Sequence, residues 1–274
     1  MTLKTAVVTG ASAGIGREIV RQLVLDRGMT VLATARRRDR LESLAAELPA
    51  GRVHIFEGDL GDAGFRARLW NQAGTIFPEG IDLLVNNAGI GHYSEFSEQP
   101  ADAWQAILNI NVVALMDLTQ RAAKHMNARK SGQIIEISSI LGFMGIPYSA
   151  AYVASKFAVN GLVTSLRYEL RGTGVKVWAG CPGRTESEFS RVAHGKREGS
   201  GRDKKGAPTT KVVRNILKGL DRNRRFIYGT FTAWITIQLA HWLPGPFDWF
   251  MARWGPGYFR KEVEEAGGRL GPGV

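Results

Sequence analysis

The sequence predicts an α/β fold in which helices cover both faces of a doubly wound parallel sheet. Over the first two hundred residues, short apolar runs alternate with longer amphipathic runs. Strands that alternate with helices are joined by right-handed crossovers, which place successive strands parallel to one another in one sheet. The strand candidates are continuously apolar, a pattern typical of strands buried on both faces.

The predicted elements follow one another from residue 5 to residue 229. Strand candidates share a short apolar run that ends in a polar residue or a glycine. They are TAVVTG at 5–10, TVLATA at 30–35, RVHIFEGDL at 52–60, IDLLVNNAG at 81–89, GQIIEISS at 132–139, VKVWAGCPG at 175–183 and RFIYG at 225–229. Helix candidates are longer amphipathic runs. They lie at 16–28, 38–48, 63–77, 101–130, around Tyr152 and Lys156, and at 210–223.

One domain is expected over residues 1–274, because a chain of this length with 44% hydrophobic residues can bury one large core. The core is predicted over about 3–229. A polar, basic and glycine-rich segment at about 184–208 is predicted to be a mobile loop. The residues from about 230 to 274 form an aromatic extension punctuated by prolines.

Composition excludes several classes of protein. The single cysteine, Cys181, excludes an intramolecular disulfide framework, and no leader segment is recognised, so a cytoplasmic location is expected. The five histidines show no ligand spacing, so no metal site is expected. The net charge of +11 is concentrated at 195–206 and 221–226, outside any nucleic-acid-binding motif. We therefore expect no nucleic-acid partner; an anionic cofactor or a membrane surface accounts for the charge.

A glycine-rich loop follows the first strand and opens the first helix. Gly10, Gly14 and Gly16 allow a tight turn and a close approach of the backbone to a pyrophosphate, and Ser12 and Ile15 lie in the same loop. The free N–H groups and the dipole of the helix N-terminus favour an anion there. The position of the loop, between an apolar strand and an amphipathic helix, predicts a dinucleotide site.

The end of the second strand discriminates between nicotinamide cofactors. An acid there would bind the ribose 2′-hydroxyl of NAD, whereas arginine accommodates the 2′-phosphate of NADP. Ala35 is followed by three arginines, at 36–38, before the first acid at Asp39. NADP(H) is therefore predicted, with Arg36 as the best-placed ligand and Arg17 as a helper. The alternative is that these arginines only begin a solvated helix.

Six short motifs occur in the order and spacing of one family: TGASAGIG, GDL, NNAG, ISS, YVASK and CPG. On these motifs the chain resembles the NADP-preferring short-chain dehydrogenase/reductases over roughly residues 3–190. Ser139 precedes Tyr152 by a spacing similar to that of the family. The resemblance implies a Rossmann-type sheet of about seven strands, a nicotinamide cofactor, and a homodimer or homotetramer.

The resemblance also implies roles for individual residues. Tyr152 would be the acid/base, Lys156 its activator and a ribose ligand, Ser139 the donor to the substrate carbonyl, and Asn111 part of a proton relay. Ser187 takes the place of a threonine that is common in the family. Cofactor contacts would come from Gly10, Ser12, Gly14, Ile15, Gly16, Arg36, Asp59, Leu60, Asn87, Gly89, Tyr152, Lys156, Pro182, Gly183 and Ser187.

The chemistry of the tyrosine–lysine pair follows from its protonation. A free tyrosine has a pKa near 10, so a neighbouring ammonium and an oxidised nicotinamide ring are expected to lower the pKa of Tyr152 toward neutrality. The predicted function is hydride transfer between NADP(H) and a carbonyl or secondary alcohol. Two alternatives remain on the same fold: a non-catalytic NADP-binding regulator and a peripheral membrane protein.

Residues in the loops after the fourth, fifth and sixth strands are predicted to shape the substrate pocket. Most are apolar or aromatic, which is consistent with a bulky apolar ketone or aldehyde. They are His92, Tyr93, Leu141, Phe143, Met144, Ile146, Tyr148, Arg184 and Phe189.

The aromatic extension departs from the commoner family pattern. Residues 226–247 include no charged side chain, but Pro244, Pro246 and several polar residues oppose a membrane span. The first expectation is a buried helix that covers the pocket or a subunit interface. The second is an interfacial anchor, with tryptophans at the lipid headgroups and arginines near anionic lipid. We hypothesise that the extension caps an apolar pocket and secondarily touches a membrane.

Overall fold

The computed structural model describes residues 3–189 and 206–265. The strands within these ranges are β1 Thr5–Thr9, β2 Thr30–Ala35, β3 Val53–Glu57, β4 Leu83–Asn86, β5 Gly132–Ile137, β6 Val175–Cys181 and β7 Phe226–Tyr228. The α-helices are α1 Gly14–Leu25, α2 Arg38–Ala46, α3 Ala63–Ile76, α4 Ala101–Leu108, α5 Leu115–Ala128, α6 Ala150–Glu169, α7 Thr209–Leu217, α8 Phe231–Trp242 and α9 Pro244–Glu265.

The seven strands pair in parallel in the order β3-β2-β1-β4-β5-β6-β7. The order reverses between β1 and β4, and in such a sheet a crevice opens at the carboxyl ends of the strands at that point. The predicted doubly wound parallel sheet with helices on both faces is therefore confirmed.

Each face of the sheet carries its own apolar core, because successive strand residues point to opposite faces. Val8 packs into one core with side chains of α1, α2 and α7, including Ile19 and Leu44. Val7 packs into the other core with α3 and α5, including Leu69. Both residues are fully buried, which explains why the strand sequences are apolar at successive positions.

The helix predicted over 101–130 is not continuous. A π-helical segment, Asn109–Ala114, separates α4 from α5. The segment contains Asn111, whose side chain is fully buried and bonds to the backbone of Ile90. A π-helical turn inside a helix often marks a functional site.

The basic loop predicted over 184–208 is described only at its two ends, and residues 190–205 lie outside the described residues. The ends pair with each other through their backbones: Glu186 N donates to Ala207 O at 3.0 Å, and Ala207 N donates to Arg184 O at 3.0 Å. This pairing places the start and the end of the loop side by side.

The expectation of a buried helix that covers the pocket or a subunit interface stays a prediction, because the extension is largely exposed within the single chain. The extension forms two helices, α8 and α9, which bury few side chains, among them Ala233 and Ile237. Trp242 and Trp249 are 73% and 64% exposed. Apolar composition predicted burial, but the rest of the fold covers only one side of α8. Within the residues that the structure describes, no helix is long and apolar enough to cross a membrane.

Candidate active site

A cavity of about 920 Å³ lies at the carboxyl ends of the strands. Of the residues predicted for catalysis and for cofactor binding, all except Gly16, Arg17 and Asn111 line this cavity. The lining members are Gly10, Ser12, Gly14, Ile15, Arg36, Asp59, Leu60, Asn87, Gly89, Ser139, Tyr152, Lys156, Pro182, Gly183 and Ser187. Residues from five strand ends and the glycine loop thus meet in one place, as the strand order requires.

The glycine loop packs too closely against the end of β4 for larger residues. Gly10 has a φ of +66°, and a Cβ on it would lie 2.8 Å from Ala88 Cα. A Cβ on Gly16 would lie 2.3 Å from the Gly10 carbonyl oxygen and from Asn87 Nδ2. Asn87 Nδ2 donates to Thr9 O and Gly10 O at 3.0 and 3.2 Å. Gly16 and Asn87 therefore hold the loop in shape, and Gly10 and Gly14 present it to the cavity.

Two arginines at the end of β2 line the cavity, Arg36 and Arg37. Arg37 donates to Glu188 Oε2 at 3.1 Å and to Ser12 Oγ at 3.2 Å, so it spans from the glycine loop to the segment after β6. No hydrogen bond or ion pair to Arg36 occurs among the described residues. Sequence reasoning singled out Arg36 and missed Arg37, although the run of three arginines was the available signal.

Arg17, predicted as a helper, does not line the cavity. Its guanidinium donates to Glu47 Oε1, to Ser43 Oγ and to the carbonyl oxygen of Arg40. These bonds fasten α1 to α2 on the outside of the fold. The helper role is therefore not supported.

Ser139, Tyr152 and Lys156 converge on the inner wall of the cavity. Tyr152 and Lys156 lie four residues apart on α6 and so share one face of the helix. Lys156 Nζ donates to Ile137 O at 2.9 Å and lies 5.5 Å from the centroid of the Tyr152 ring. Ser139 lies close enough to the Tyr152 phenol to lower its pKa, and Ser139 Oγ accepts from Leu141 N at 3.1 Å.

Burial governs the protonation of this trio. Desolvation raises the pKa of the Tyr152 phenol above its ordinary value, Tyr93 adds to the rise, and the nearby Ser139 side chain opposes it. Desolvation also lowers the pKa of Lys156 to about 8, against the opposing effects of Cys181 and Glu136. The expectation was that Lys156 and an oxidised nicotinamide ring would together lower the pKa of Tyr152. Without the cofactor, the groups of the protein raise this pKa instead. The buried phenol stays protonated near neutral pH.

The side chain of Asn111 is fully used in structural bonds. Oδ1 accepts from Ile90 N at 2.9 Å, and Nδ2 donates to Ile90 O and to Ser155 Oγ at 3.0 Å each. These bonds anchor the segment after β4 to the π-helical turn and to α6. The part in a proton relay that the resemblance implied for Asn111 stays a prediction, and these bonds show what holds the residue in place.

A buried carboxyl near Lys156 was missed by sequence reasoning. Glu136 on β5 is fully buried, accepts from Thr119 Oγ1 at 2.6 Å and accepts from Asn86 Nδ2 at 3.3 Å. Burial raises its pKa to about 7, against these bonds and the nearby charge of Lys156. The signal was present in the sequence, since one charged residue interrupts the apolar run GQIIEISS.

The outer part of the cavity is mostly apolar. Of the predicted pocket residues, those that line it are Tyr93, Leu141, Met144, Ile146, Arg184 and Phe189. His92, Phe143 and Tyr148 do not line it. Phe143 instead packs edge to face on Phe226, with centroids 4.8 Å apart. Phe259 of α9 also lines the cavity, so the extension reaches the site.

Comparison with known proteins identifies the family. The model of the short chain dehydrogenase family matches residues 4–197. The chain belongs to the short-chain dehydrogenase/reductases. A 2-dehydro-3-deoxy-D-gluconate 5-dehydrogenase of Bacillus subtilis is 38% identical over 181 residues, which cover 66% of this chain and 70% of the relative.

Solved structures of the family share the fold. A short-chain dehydrogenase of Sphingobium yanoikuyae in complex with NADPH has a TM-score of 0.75 at 27% identity, covering 92% of this chain and 96% of the other. A Burkholderia phymatum short-chain dehydrogenase/reductase in complex with NAD has a TM-score of 0.78 at 23% identity, covering 87% and 92%. This chain is therefore an oxidoreductase of the short-chain dehydrogenase/reductase family.

Proposed function

We propose that this short-chain dehydrogenase/reductase uses NADP(H) and interconverts a carbonyl compound and a secondary alcohol, with a bulky apolar ketone or aldehyde as the carbonyl substrate. The observation that carries the proposal is the convergence of Ser139, Tyr152 and Lys156 on the wall of the cavity that the glycine loop opens. Because all three are present and line one cavity, a catalytic role is favoured over that of an NADP-binding regulator.

The cavity fits a dinucleotide. It runs from Arg36 to Lys156, and its floor at Gly14 has no side chain to obstruct a pyrophosphate. The free N–H groups at the start of α1 would hold that pyrophosphate. Asp59 and Leu60 would border the adenine. The nicotinamide end would meet Asn87, Gly89, Pro182, Gly183 and Ser187, and Tyr152 and Lys156 would meet the ribose.

The choice of NADP(H) is supported by charge at the end of β2. The strand ends at Ala35 with no acid to bind a 2′-hydroxyl, and Arg36 and Arg37 line the cavity directly after it. Arg36 would meet the 2′-phosphate, because its guanidinium is not used elsewhere among the described residues. Arg37, tied to Ser12 and Glu188, would support it from the loop.

Acid/base chemistry is assigned to Tyr152. When bound, the cofactor supplies or takes the hydride at the carbonyl carbon. In reduction, the protonated phenol of Tyr152 gives its proton to the carbonyl oxygen, and the Ser139 hydroxyl donates a hydrogen bond to the developing alkoxide. Lys156, held by Ile137, stabilises the phenolate that remains. Burial keeps the phenol protonated beforehand, which suits the reductive direction.

The substrate class is proposed from the lining of the outer cavity. Leu141, Met144, Ile146, Phe189 and Phe259 offer apolar surface, which binds apolar groups by excluding water. The ring of Phe189 lies 5.4 Å from that of Tyr152, so apolar surface reaches the reacting group itself.

A homodimer or homotetramer in the cytoplasm is proposed as well. Val113, Met116 and Phe157 are large apolar side chains, each nearly half exposed, on the adjoining π-helical turn, α5 and α6. A second copy of the chain would cover them.

The proposed function is tested by following NADPH oxidation with aliphatic, aromatic, steroid and acyl-thioester ketones, with NADH in parallel. We expect turnover of bulky apolar ketones with NADPH and much less with NADH. Quenching of cofactor fluorescence without turnover on any of these compounds would instead favour a regulator.

A further inference from the structure

Ten large apolar side chains from Phe231 to Tyr258 are exposed, nine on α8 and α9 and one, Leu243, between them; the residues that the structure describes include sixteen such side chains. We refer to these ten as the aromatic face. They are Phe231, Trp234, Ile235, Leu239, Trp242, Leu243, Trp249, Phe250, Trp254 and Tyr258. Their exposed fractions run from 37% for Ile235 to 73% for Trp242. Some of these rings contact one another, as Phe231 does Trp234 and Trp249 does Trp254. A large exposed apolar surface is typical of an interaction site.

Helix α8 carries large apolar side chains on its outer side as well as on its inner side, and the outer side also includes Gln238, whose Oε1 accepts from Trp242 Nε1 at 3.1 Å. Ala233 and Ile237 are buried against the fold. Phe231, Ile235 and Trp242 recur at helical spacing on the opposite side, with Leu239 and Trp234 flanking them. A surface helix ordinarily turns a charged or polar side to water, so the outer side of α8 is built for a different environment.

The chain around the aromatic face has more basic than acidic residues. From residue 222 to residue 265 it has five arginines and Lys261 against four acids, Asp248, Glu262, Glu264 and Glu265, and the whole chain carries +11. Arg253 is exposed on α9 in the midst of the aromatic residues, with its guanidinium 5.9 Å from the Trp254 ring centroid. The other arginines are Arg222, Arg224, Arg225 and Arg260.

This charge pattern distinguishes between a lipid surface and a second copy of the chain. A two-fold contact between copies would bring the same surface of both together, and with it the arginines of both. Anionic lipid headgroups neutralise those arginines, and the interface between headgroups and acyl chains is where Trp and Tyr side chains are enriched.

We propose that the aromatic face docks on the surface of an anionic membrane. Phe231, Trp234, Trp242 and their neighbours would enter the boundary between headgroups and acyl chains while the helices lie in the plane of the interface. The same extension reaches the cavity, since Phe259 lines it and Arg260 pairs with Glu95 at 3.3 Å. Docking would therefore hold the cavity next to the bilayer. A benefit of this position for catalysis rests on the proposed apolar substrate, which would dissolve in the bilayer. Docking itself does not depend on the substrate.

Co-sedimentation of the full-length protein with lipid vesicles tests the proposal. Vesicles of phosphatidylcholine are compared with vesicles that also contain phosphatidylglycerol. We expect binding to the second kind, weakened by added salt because the attraction is partly ionic. Failure of the wild-type protein to bind vesicles that contain phosphatidylglycerol would overturn the proposal, whatever its activity on ketones.

Substitution assigns the binding to the aromatic face. The double variant Phe231→Ala and Trp242→Ala should weaken vesicle binding by about tenfold or more, since two large apolar side chains no longer enter the lipid. Tyr168→Ala is the matched control, because Tyr168 is an exposed aromatic residue of α6 outside this face, and it should bind as the wild type does. Equal binding by the double variant and the control would contradict the proposal.

Two further measurements separate lipid docking from other outcomes. Tryptophan fluorescence of the wild-type protein should be quenched by vesicles that contain phosphatidylglycerol and brominated acyl chains, a result that needs no variant. Sedimentation velocity without lipid should give the same oligomeric state for the wild type and the double variant. A smaller oligomer for the double variant would mean that the face is an interface between copies, which would overturn the proposal.

Discussion

Lys156 is fixed beside Tyr152 by the backbone of the neighbouring strand: its Nζ donates to Ile137 O at 2.9 Å and lies 5.5 Å from the centroid of the Tyr152 ring. The ammonium is thus held by β5 at a set distance from the phenol. Burial lowers the pKa of Lys156 to about 8, so most of the side chain is charged at neutral pH. The charged lysine suits its two proposed roles, toward the phenolate and toward the ribose of the cofactor.

Lys156→Ala should lose most turnover and also weaken NADPH binding, because both proposed roles disappear together. NADPH oxidation gives the turnover number, and quenching of protein fluorescence gives the dissociation constant. Lys218→Ala is the control, since Lys218 is an exposed lysine whose side chain bonds to Asn215 and does not line the cavity, and it should leave both quantities unchanged. Wild-type turnover by Lys156→Ala would remove Lys156 from the mechanism.

Arg36→Ala should weaken NADPH binding by about 1.5–3 kcal/mol, the usual worth of a hydrogen bond to a charged group, and leave NADH binding nearly unchanged. Arg38→Ala serves as the control, because Arg38 bonds to Glu42 on the surface of α2 and should alter neither cofactor. Titration with NADPH and with NADH gives the dissociation constant of each cofactor for each variant. An equal loss for NADPH and NADH would show that Arg36 does not meet the 2′-phosphate.

Much of the fold could be predicted because the residue types within each strand indicate which of its faces are buried. The run TAVVT at β1 is apolar at successive positions since Val7 and Val8 enter different cores. The π-helical turn at Asn109–Ala114 could not be predicted, because those residues also suit an α-helix and the turn depends on the distant bond between Asn111 and Ile90.

Within the candidate site, the residues that motifs identify could be placed, whereas properties set by packing could not. The rise in the pKa of Tyr152 comes from burial by residues far apart in sequence. The contacts of the Arg37 side chain depend on the backbone turn after Ala35. The exposure of α8 depends on how much of the helix the rest of the chain packs against. Composition alone described α8 as apolar, which fits a buried helix and a membrane-facing helix equally well.

Glu136→Gln should change how stability depends on pH. Burial raises the pKa of Glu136 from 4.5 to about 7, so the folded protein favours the neutral carboxyl. The stability that the neutral form contributes is full below pH 4.5 and is lost as the pH rises through about 7, in total about 3 kcal/mol. The glutamine has no such titration. Urea unfolding of both proteins between about pH 5 and pH 8 measures the difference; parallel stability curves would contradict the assignment.

Phe259→Ala should raise KM for large apolar ketones and leave NADPH affinity intact, because Phe259 lines the outer cavity. The loss of its apolar contact should cost about 1–3 kcal/mol of substrate binding. Phe250→Ala is the matched control on the same helix, since Phe250 is 54% exposed and does not line the cavity. Steady-state kinetics without lipid compare the KM values of the two variants. An equal change of KM in both would show that Phe259 does not contact the substrate.

Tyr152→Phe tests the central claim most directly, because it removes one hydroxyl and keeps the ring. The measurement is NADPH binding by titration together with NADPH oxidation on the best ketone substrate of the wild type. The proposed mechanism predicts unchanged NADPH affinity and a loss of turnover of about 10²–10⁴-fold, the usual worth of a positioned general acid. Turnover at the wild-type rate would contradict the assignment of Tyr152 as the proton donor.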